Sequence, residues 1–318
     1  MEQEAFDLGL DFALPLPRAE PFTAQMAVRA GVPRPRLRSL VEAGVLRRPL
    51  RGVYVDAAVT DSLELRAACL QLVVPEDAVV VDRHAGWLLG AEMILAPGEH
   101  VESRPVSMFR PLGRGRIRQP LSHGGERLLT DEDVVELAGV RVTTPLRTAC
   151  DLGRVRWTDE AIAGVDAMLR LGAFSKDELV ESVERFAGYR WVTTLRAVAP
   201  LADGQSESPG ESVLRLRCVE NGLRMTPQVR VYEDERVIAR LDLANEEFLV
   251  AAEYDGVEWH SSPAQQAQDR RRRDDLADRG WDIEPFGKEL VFGRARDCDR
   301  VLRELWERGK RRHRALAS

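Results

Sequence analysis

Arg240-Leu-Asp-Leu-Ala-Asn-Glu-Glu-Phe-Leu-Val-Ala-Ala-Glu-Tyr-Asp-Gly256 carries parts of two apolar, β-prone runs, 237–244 and 248–254, parted by Asn245, Glu246 and Glu247. That is the pattern of a hairpin with a longer loop. Carboxylates interrupt both strands where a core wants carbon: Asp242 inside the first, Glu253 and Asp255 closing the second. Side chains alternate faces along a strand, so Leu249, Ala251, Glu253 and Asp255 are expected to share one. An ionised carboxylate on a half-buried strand is costly unless it is paired or holds a metal. Three on one hairpin point to a hard-cation site, because Mg²⁺ is held by one or two carboxylates and keeps several waters.

Working outward from the hairpin, Glu211-Ser-Val-Leu-Arg-Leu-Arg-Cys-Val-Glu-Asn-Gly222 reads as a helix ended by its glycine. Residues 228–232 read as a first strand, 264–279 as a helix, 281–286 as a fourth strand and 294–314 as a last helix. The order α-β-β-β-α-β-α predicts a mixed sheet. Gly256 lets the chain turn sharply out of the hairpin. His260, just beyond, has an ordinary pKa near neutrality and could activate water or protonate a leaving group. The run Arg270–Arg273, Arg272 within it, either faces a phosphate backbone or pairs with Asp269, Asp274 and Asp275.

An Asp on one strand and a Glu on the next resembles the P-D-(D/E)-x-K nuclease superfamily. More closely, Glu253-Tyr-Asp-Gly-Val-Glu-Trp-His260, then Asp269-Arg-Arg-Arg-Arg273 and Gly280-Trp281, is similar to the very-short-patch-repair endonuclease-like domain. The resemblance spans residues 207–308. It implies a Mg²⁺-dependent (or Mn²⁺-dependent) endonuclease: Asp242 and Glu253 as metal ligands, Glu211 or Asp255 completing the shell, and His260 as acid or base. The metal would lower the pKa of bound water and neutralise charge on the phosphate. Asp255 stands where the superfamily has Lys, so that residue's role is either missing or supplied by another group such as His260. For Glu211 a plain alternative is an acid favoured by a helix N-terminus.

The other end of the chain is basic. Between Arg29 and Arg51 there are seven arginines and one acid, Glu42, within a protein of net charge −6. Thr23 is placed to cap a short helix that Gly31 ends. Pro33 or Pro35 opens a second helix with Leu37, Leu40 and Val41 on one face, ended by Gly44. Val45 to Val55 reads as a two-stranded wing. Helix, turn, helix and basic wing make a winged helix-turn-helix, whose second helix enters a major groove of double-stranded DNA. Arg34, Arg36, Arg38 and Ser39 would project from that helix. Arg47, Arg48 and Arg51 would meet phosphates, a sequence-blind contact. The alternative is a solvated basic face on a protein-binding module. Residues 21–55, with the ending Arg51-Gly-Val-Tyr-Val, resemble the N-terminal domain of AbiEi-type antitoxins. His84-Ala-Gly-Trp-Leu-Leu-Gly90 and Val140-Arg-Val-Thr-Thr-Pro-Leu-Arg-Thr-Ala-Cys-Asp-Leu-Gly153 resemble later segments of the same module. His84 near a helix start reads as a packed residue.

The expected architecture is an α+β multidomain chain. It has an N-terminal arm (1–20), the winged helix (21–58), an α/β middle region with helices (59–202), and a P-D-(D/E)-x-K-type mixed-sheet domain (207–318). The polar run Asp203-Gly-Gln-Ser-Glu-Ser-Pro-Gly210 marks the last boundary. No run of about 18 apolar residues predicts a membrane span, and the acidic start lacks a signal-peptide form, so a cytoplasmic location is expected. Cys69, Cys150, Cys218 and Cys298 are far apart and read as buried reduced thiols. Two functions remain in competition. One is a DNA-binding endonuclease. The other is a non-catalytic AbiEi-like antitoxin or transcriptional regulator with a nuclease-like domain, for which a cognate toxin protein is a second candidate partner.

Overall fold

A computed structural model of the chain describes residues 14–93, 95, 105–117, 122–256, 263–293 and 297–317. The chain packs as two compact units, residues 1–90 with 100–144, and residues 91–99 with 145–318. Among the described residues no helix is long and apolar enough to cross a membrane.

The first unit begins with the helix-turn-helix. A two-residue strand β1 (Phe22–Thr23) leads into α1 (Ala24–Arg29), and α2 (Arg34–Glu42) follows. The Thr23 hydroxyl accepts from the Met26 amide at 3.2 Å, satisfying a donor that the first turn would otherwise leave unpaired. Gly31 and Gly44 both adopt positive φ, +90° and +71°, where a side chain would be strained. The wing is β2 (Leu46–Leu50) and β3 (Val53–Asp56), antiparallel, with β1 on the far side of β3. Phe22, Ala27, Val32, Leu37, Leu40 and Leu46 form the core beneath. Each large buried side chain is worth about 2 kcal/mol. Exposed like charges in water repel by less than about 1 kcal/mol per pair. The module therefore folds despite its crowd of arginines.

The wing's inner residues Leu50, Val53 and Val55 share a second core with α3 (Leu63–Gln71), α4 (Asp82–Leu88) and a sheet that includes Val80, Met108 and Val142. That sheet combines β4 (Val79–Val80), β5 (Val106–Pro111), β6 (Ser122–His123), β7 (Glu126–Arg127), β8 (Val134–Leu137) and β9 (Val140–Thr143). Its order is β6-β5-β4-β9-β8, with β7 also on β5. The winged helix is thus continuous with the following residues rather than a bead on a linker. His84 is buried and its Nδ1 accepts from the Ser107 amide at 3.1 Å, the packed role expected of it.

The second unit holds α5 (Pro145–Gly153), α6 (Thr158–Leu169), α7 (Lys176–Ser182) and α8 (Val192–Val198). Then come α9 (Pro209–Glu220), β10 (Thr226–Glu233), β11 (Arg236–Asn245), β12 (Val250–Asp255), α10 (Pro263–Asp278), β13 (Asp282–Gly287), α11 (Lys288–Val291) and α12 (Asp297–Ala317). The sheet runs β10-β11-β12-β13, antiparallel until the last pair, which is parallel and joined through α10. The mixed sheet is as expected. Lys288 and Glu289 open α11, directly after β13.

Packing does not divide the chain at 203–210. The Asp203 amide donates to Asp166 on α6 at 2.8 Å, and Arg215 on α9 donates to Asp166 (2.7 Å) and to the Leu201 carbonyl (2.6 Å). Arg217 pairs with Asp159 as well. The helices after Thr144 therefore belong with the C-terminal sheet. The polar run marks a largely half-buried turn, with Ser206 and Gly210 buried, and a turn within a unit has the same composition as a linker between units.

Candidate functional site

Two places gather the side chains singled out above, one in each unit. In the first unit a groove of about 1240 Å³ runs between the winged helix and residues 71–75. Arg34 and Arg38 line it from α2, one helical turn apart, and Arg48 and Arg51 line it from the wing. All four are exposed, and none has a hydrogen bond or ion pair to another described residue. Val28, Val41, Leu72, Val73 and Val74 add apolar wall, and Glu42 is the one acid in the lining. Four exposed cations with no partner among the described residues can neutralise phosphates without first breaking such a contact.

The other predicted contacts separate from these four. Arg47 donates to the Val59 carbonyl at 2.9 Å and lies 4.0 Å from Asp61, so it braces the wing to the next loop. Arg36 is partly buried and lies outside the groove lining. Ser39 is exposed, but its hydroxyl donates to the Pro35 carbonyl one turn back, at 3.2 Å. Gln71–Pro75 and Tyr54 escaped the sequence reading. Gln71 reaches the groove because its amide donates to the Ala138 carbonyl, a contact spanning 67 residues that no local pattern reveals.

In the second unit the hairpin acids meet α9. Strand β12 begins at Val250, two residues later than expected, because Leu249 has φ +49° and the Asn245 carboxamide accepts from the Phe248 amide. The ladder pairs Leu243 with Ala252. One step further, Asp242 stands opposite Glu253, and its carboxylate accepts from the Tyr254 amide at 2.9 Å. Glu211 is brought close because Gly210 lets α9 approach β12: a Cβ there would lie 2.1 Å from the Tyr254 ring. Gln228, another residue missed from sequence, donates to Glu211 at 2.8 Å with its backbone at φ +54°. Asp255 is exposed at the end of β12. His260 lies outside the described residues.

Burial, then the neighbouring Glu211 and Glu253 charges, push the Asp242 carboxyl up to about 6, against the pull of the Tyr254 amide and Arg272. Its folded pKa thus exceeds the unfolded value of 3.8. Both states are protonated below about pH 3.9, so no penalty exists there. The penalty grows as pH rises toward 6 and is constant above. Asp242→Asn keeps an acceptor for the amide. After discounting for solvent, it is expected to stabilise the protein by about 1–2 kcal/mol at pH 8 and by nothing at pH 3.5. Urea midpoints at the two pH values check this.

The cluster does not fit a divalent ion as it stands. Both Glu253 oxygens accept from Arg272 Nη2, at 3.0 and 2.9 Å. One Glu211 oxygen accepts from the Glu207 amide and from Gln228. Among the described residues no group of three or more His, Cys, Asp or Glu is arranged to hold a metal. Arg240, on the same strand as Asp242, pairs with Glu207. Arg272, expected on a phosphate, is turned onto a carboxylate. The four cysteines are free and buried, and burial pushes Cys69, Cys150 and Cys298 up to about 12, which removes them as nucleophiles.

Residues 18–55 match the family model described as transcriptional regulator, AbiEi antitoxin. The uncharacterized proteins MT2308 and Rv2248, from two strains of Mycobacterium tuberculosis, are each 31% identical over 247 residues, covering 77% of this chain and 87% of their own. The chain belongs to the family of these mycobacterial proteins, and its N-terminus carries an AbiEi-type antitoxin and transcriptional-regulator domain.

Proposed function

We propose that the protein is a transcriptional regulator that grips duplex DNA through Arg34, Arg38, Arg48 and Arg51. The observation that carries this reading is their convergence, unpaired, on one groove of the winged helix. The match of this segment to a transcriptional-regulator family supports it. Arg34 and Arg38 are placed on the helix that such modules lay in the major groove, and Arg48 and Arg51 on the wing that meets the backbone. Fluorescence anisotropy on labelled duplex DNA tests it. Log affinity should fall linearly with log salt with a slope near −3 to −4, one unit per phosphate neutralised. No binding at 50 mM salt on any duplex, including the chain's own upstream region, would refute it. A cognate toxin protein is a second partner within this reading, tested by co-purification with the neighbouring gene product.

A hydrolytic role for the C-terminal unit is the second reading, favoured by the crowding of Asp242 against Glu211 and Glu253. It requires Arg272 to leave Glu253. Plasmid nicking with Mg²⁺ or Mn²⁺, compared with Asp242→Ala, decides it. Equal cutting by the variant, or none by either, removes it.

A further inference from the structure

We propose that the groove on the winged helix takes the chain's own N-terminal segment, residues 2–13, and that this segment competes with DNA for it. The competition rests on the DNA reading above, whereas the docking stands on the groove itself. The groove offers two chemistries. Arg34, Arg38, Arg48 and Arg51 suit phosphates, but Val28, Val41, Leu72 and Val74 stand on its wall as well. Val28 is 47% exposed. A phosphate backbone engages the cations and forgoes about 25 cal/mol for each Å² of apolar wall left in water. A ligand that fits the whole groove carries carboxylates and apolar side chains together.

Residues 2–13, which lie outside the described residues, have that composition. Glu2, Glu4, Asp7 and Asp11 are acidic, and the first basic residue of the chain is Arg18. Phe6, Leu8, Leu10 and Phe12 fall on every second position, with Asp7 and Asp11 between them. Extended backbone turns alternate positions to opposite sides, which separates an apolar row from an acidic one. The segment is also tethered beside the groove. Leu14 and Leu16 pack on the winged-helix core with Val41 and Tyr54, two residues that line it. From there, residues 2–13 in extended form reach up to about 40 Å. A tethered segment meets its site at an effective concentration of about 1 mM. A contact with a dissociation constant of about 0.1 mM therefore leaves the groove open about one-tenth of the time, and weakens DNA binding about tenfold.

Two measurements on the full chain test it. The first is anisotropy on labelled duplex DNA at about 50 mM salt. Phe6→Ser, Leu8→Ser, Leu10→Ser and Phe12→Ser combined leave the net charge at −6 and should tighten binding about tenfold. Unchanged affinity overturns the competition, because general repulsion by the acids survives in that variant. The second measurement needs no DNA. A fluorescein-labelled peptide of residues 2–13 should bind the same variant with half-saturation at about 0.1 mM, and adding Arg48→Ala with Arg51→Ala should weaken it at least about fivefold. No saturation by about 1 mM, or binding indifferent to the two arginines, overturns the docking. Should no duplex bind any form, the DNA reading falls and the peptide titration alone decides. A dimer of the native chain in sedimentation, absent from the serine variant, would put the segment in a second copy's groove and overturn the intramolecular inference.

Discussion

Replacing Arg34 and Arg38 together with alanine is expected to weaken duplex-DNA binding by about 100-fold at 100 mM salt and to flatten the salt dependence by about two units. Both side chains are exposed, lie one turn apart on α2 and point into the same groove. Each lost arginine contact costs about 1–3 kcal/mol, so two remove roughly two to four decades. The fold should be untouched, because neither residue contributes to the core built on Leu37 and Leu40. Two controls sharpen the expectation. Arg36→Ala, two positions along on another side of the helix, should change affinity by less than about threefold. Arg47→Ala should lower stability, since its guanidinium is spent on the Val59 carbonyl, and should leave the salt slope unchanged. Equal losses from Arg36→Ala and from Arg34→Ala/Arg38→Ala would mean that overall charge, and not the groove, binds DNA.

Arg215→Leu is expected to destabilise the second unit by about 3–5 kcal/mol. Asp166 is 0% exposed and sits on α6, where Arg215 donates to its carboxylate at 2.7 Å. Burial raises the Asp166 carboxyl above its ordinary range even with Arg215 and the Asp203 amide holding it down. Without Arg215 the acid must ionise unpaired or stay protonated. Its folded pKa then rises further above the unfolded one, so the penalty is absent below about pH 3.9 and increases as pH rises. Asp166→Asn combined with Arg215→Leu should recover at least half of the loss, because an apolar or neutral replacement of both partners removes the stranded charge. Urea unfolding followed by far-ultraviolet circular dichroism measures all three. Additive losses in the double variant would show that the two residues act separately. The same experiment probes the packing of 145–202 with the C-terminal sheet, since this pair ties α6 to α9.

Much of the local structure was legible residue by residue. Thr23 as a cap, Gly31 and Gly44 as stops, Leu37 and Leu40 as an inward stripe, and the wing up to Val55 are all determined by backbone rules spanning a few positions. The succession of helices and strands from Glu211 onward follows from the same short-range periodicities. Even the gathering of Asp242 and Glu253 is a hairpin property, read from a stretch of 17 residues, Arg240 to Gly256.

What each charge does was decided by the tertiary structure. Arg272 could face a phosphate or an acid, and only the return of α10 over the sheet brings it onto Glu253, 19 residues away. Arg47 and Arg48 are neighbours in a basic run, yet one is tied to Val59 and the other opens to the groove. Asp166 and Arg215 lie 49 residues apart across a turn whose composition reads as a linker. The reason is physical. Local sequence sets dihedral angles and which face is apolar, whereas the energy of an ion pair depends on separation and burial, which exist only once distant elements have packed.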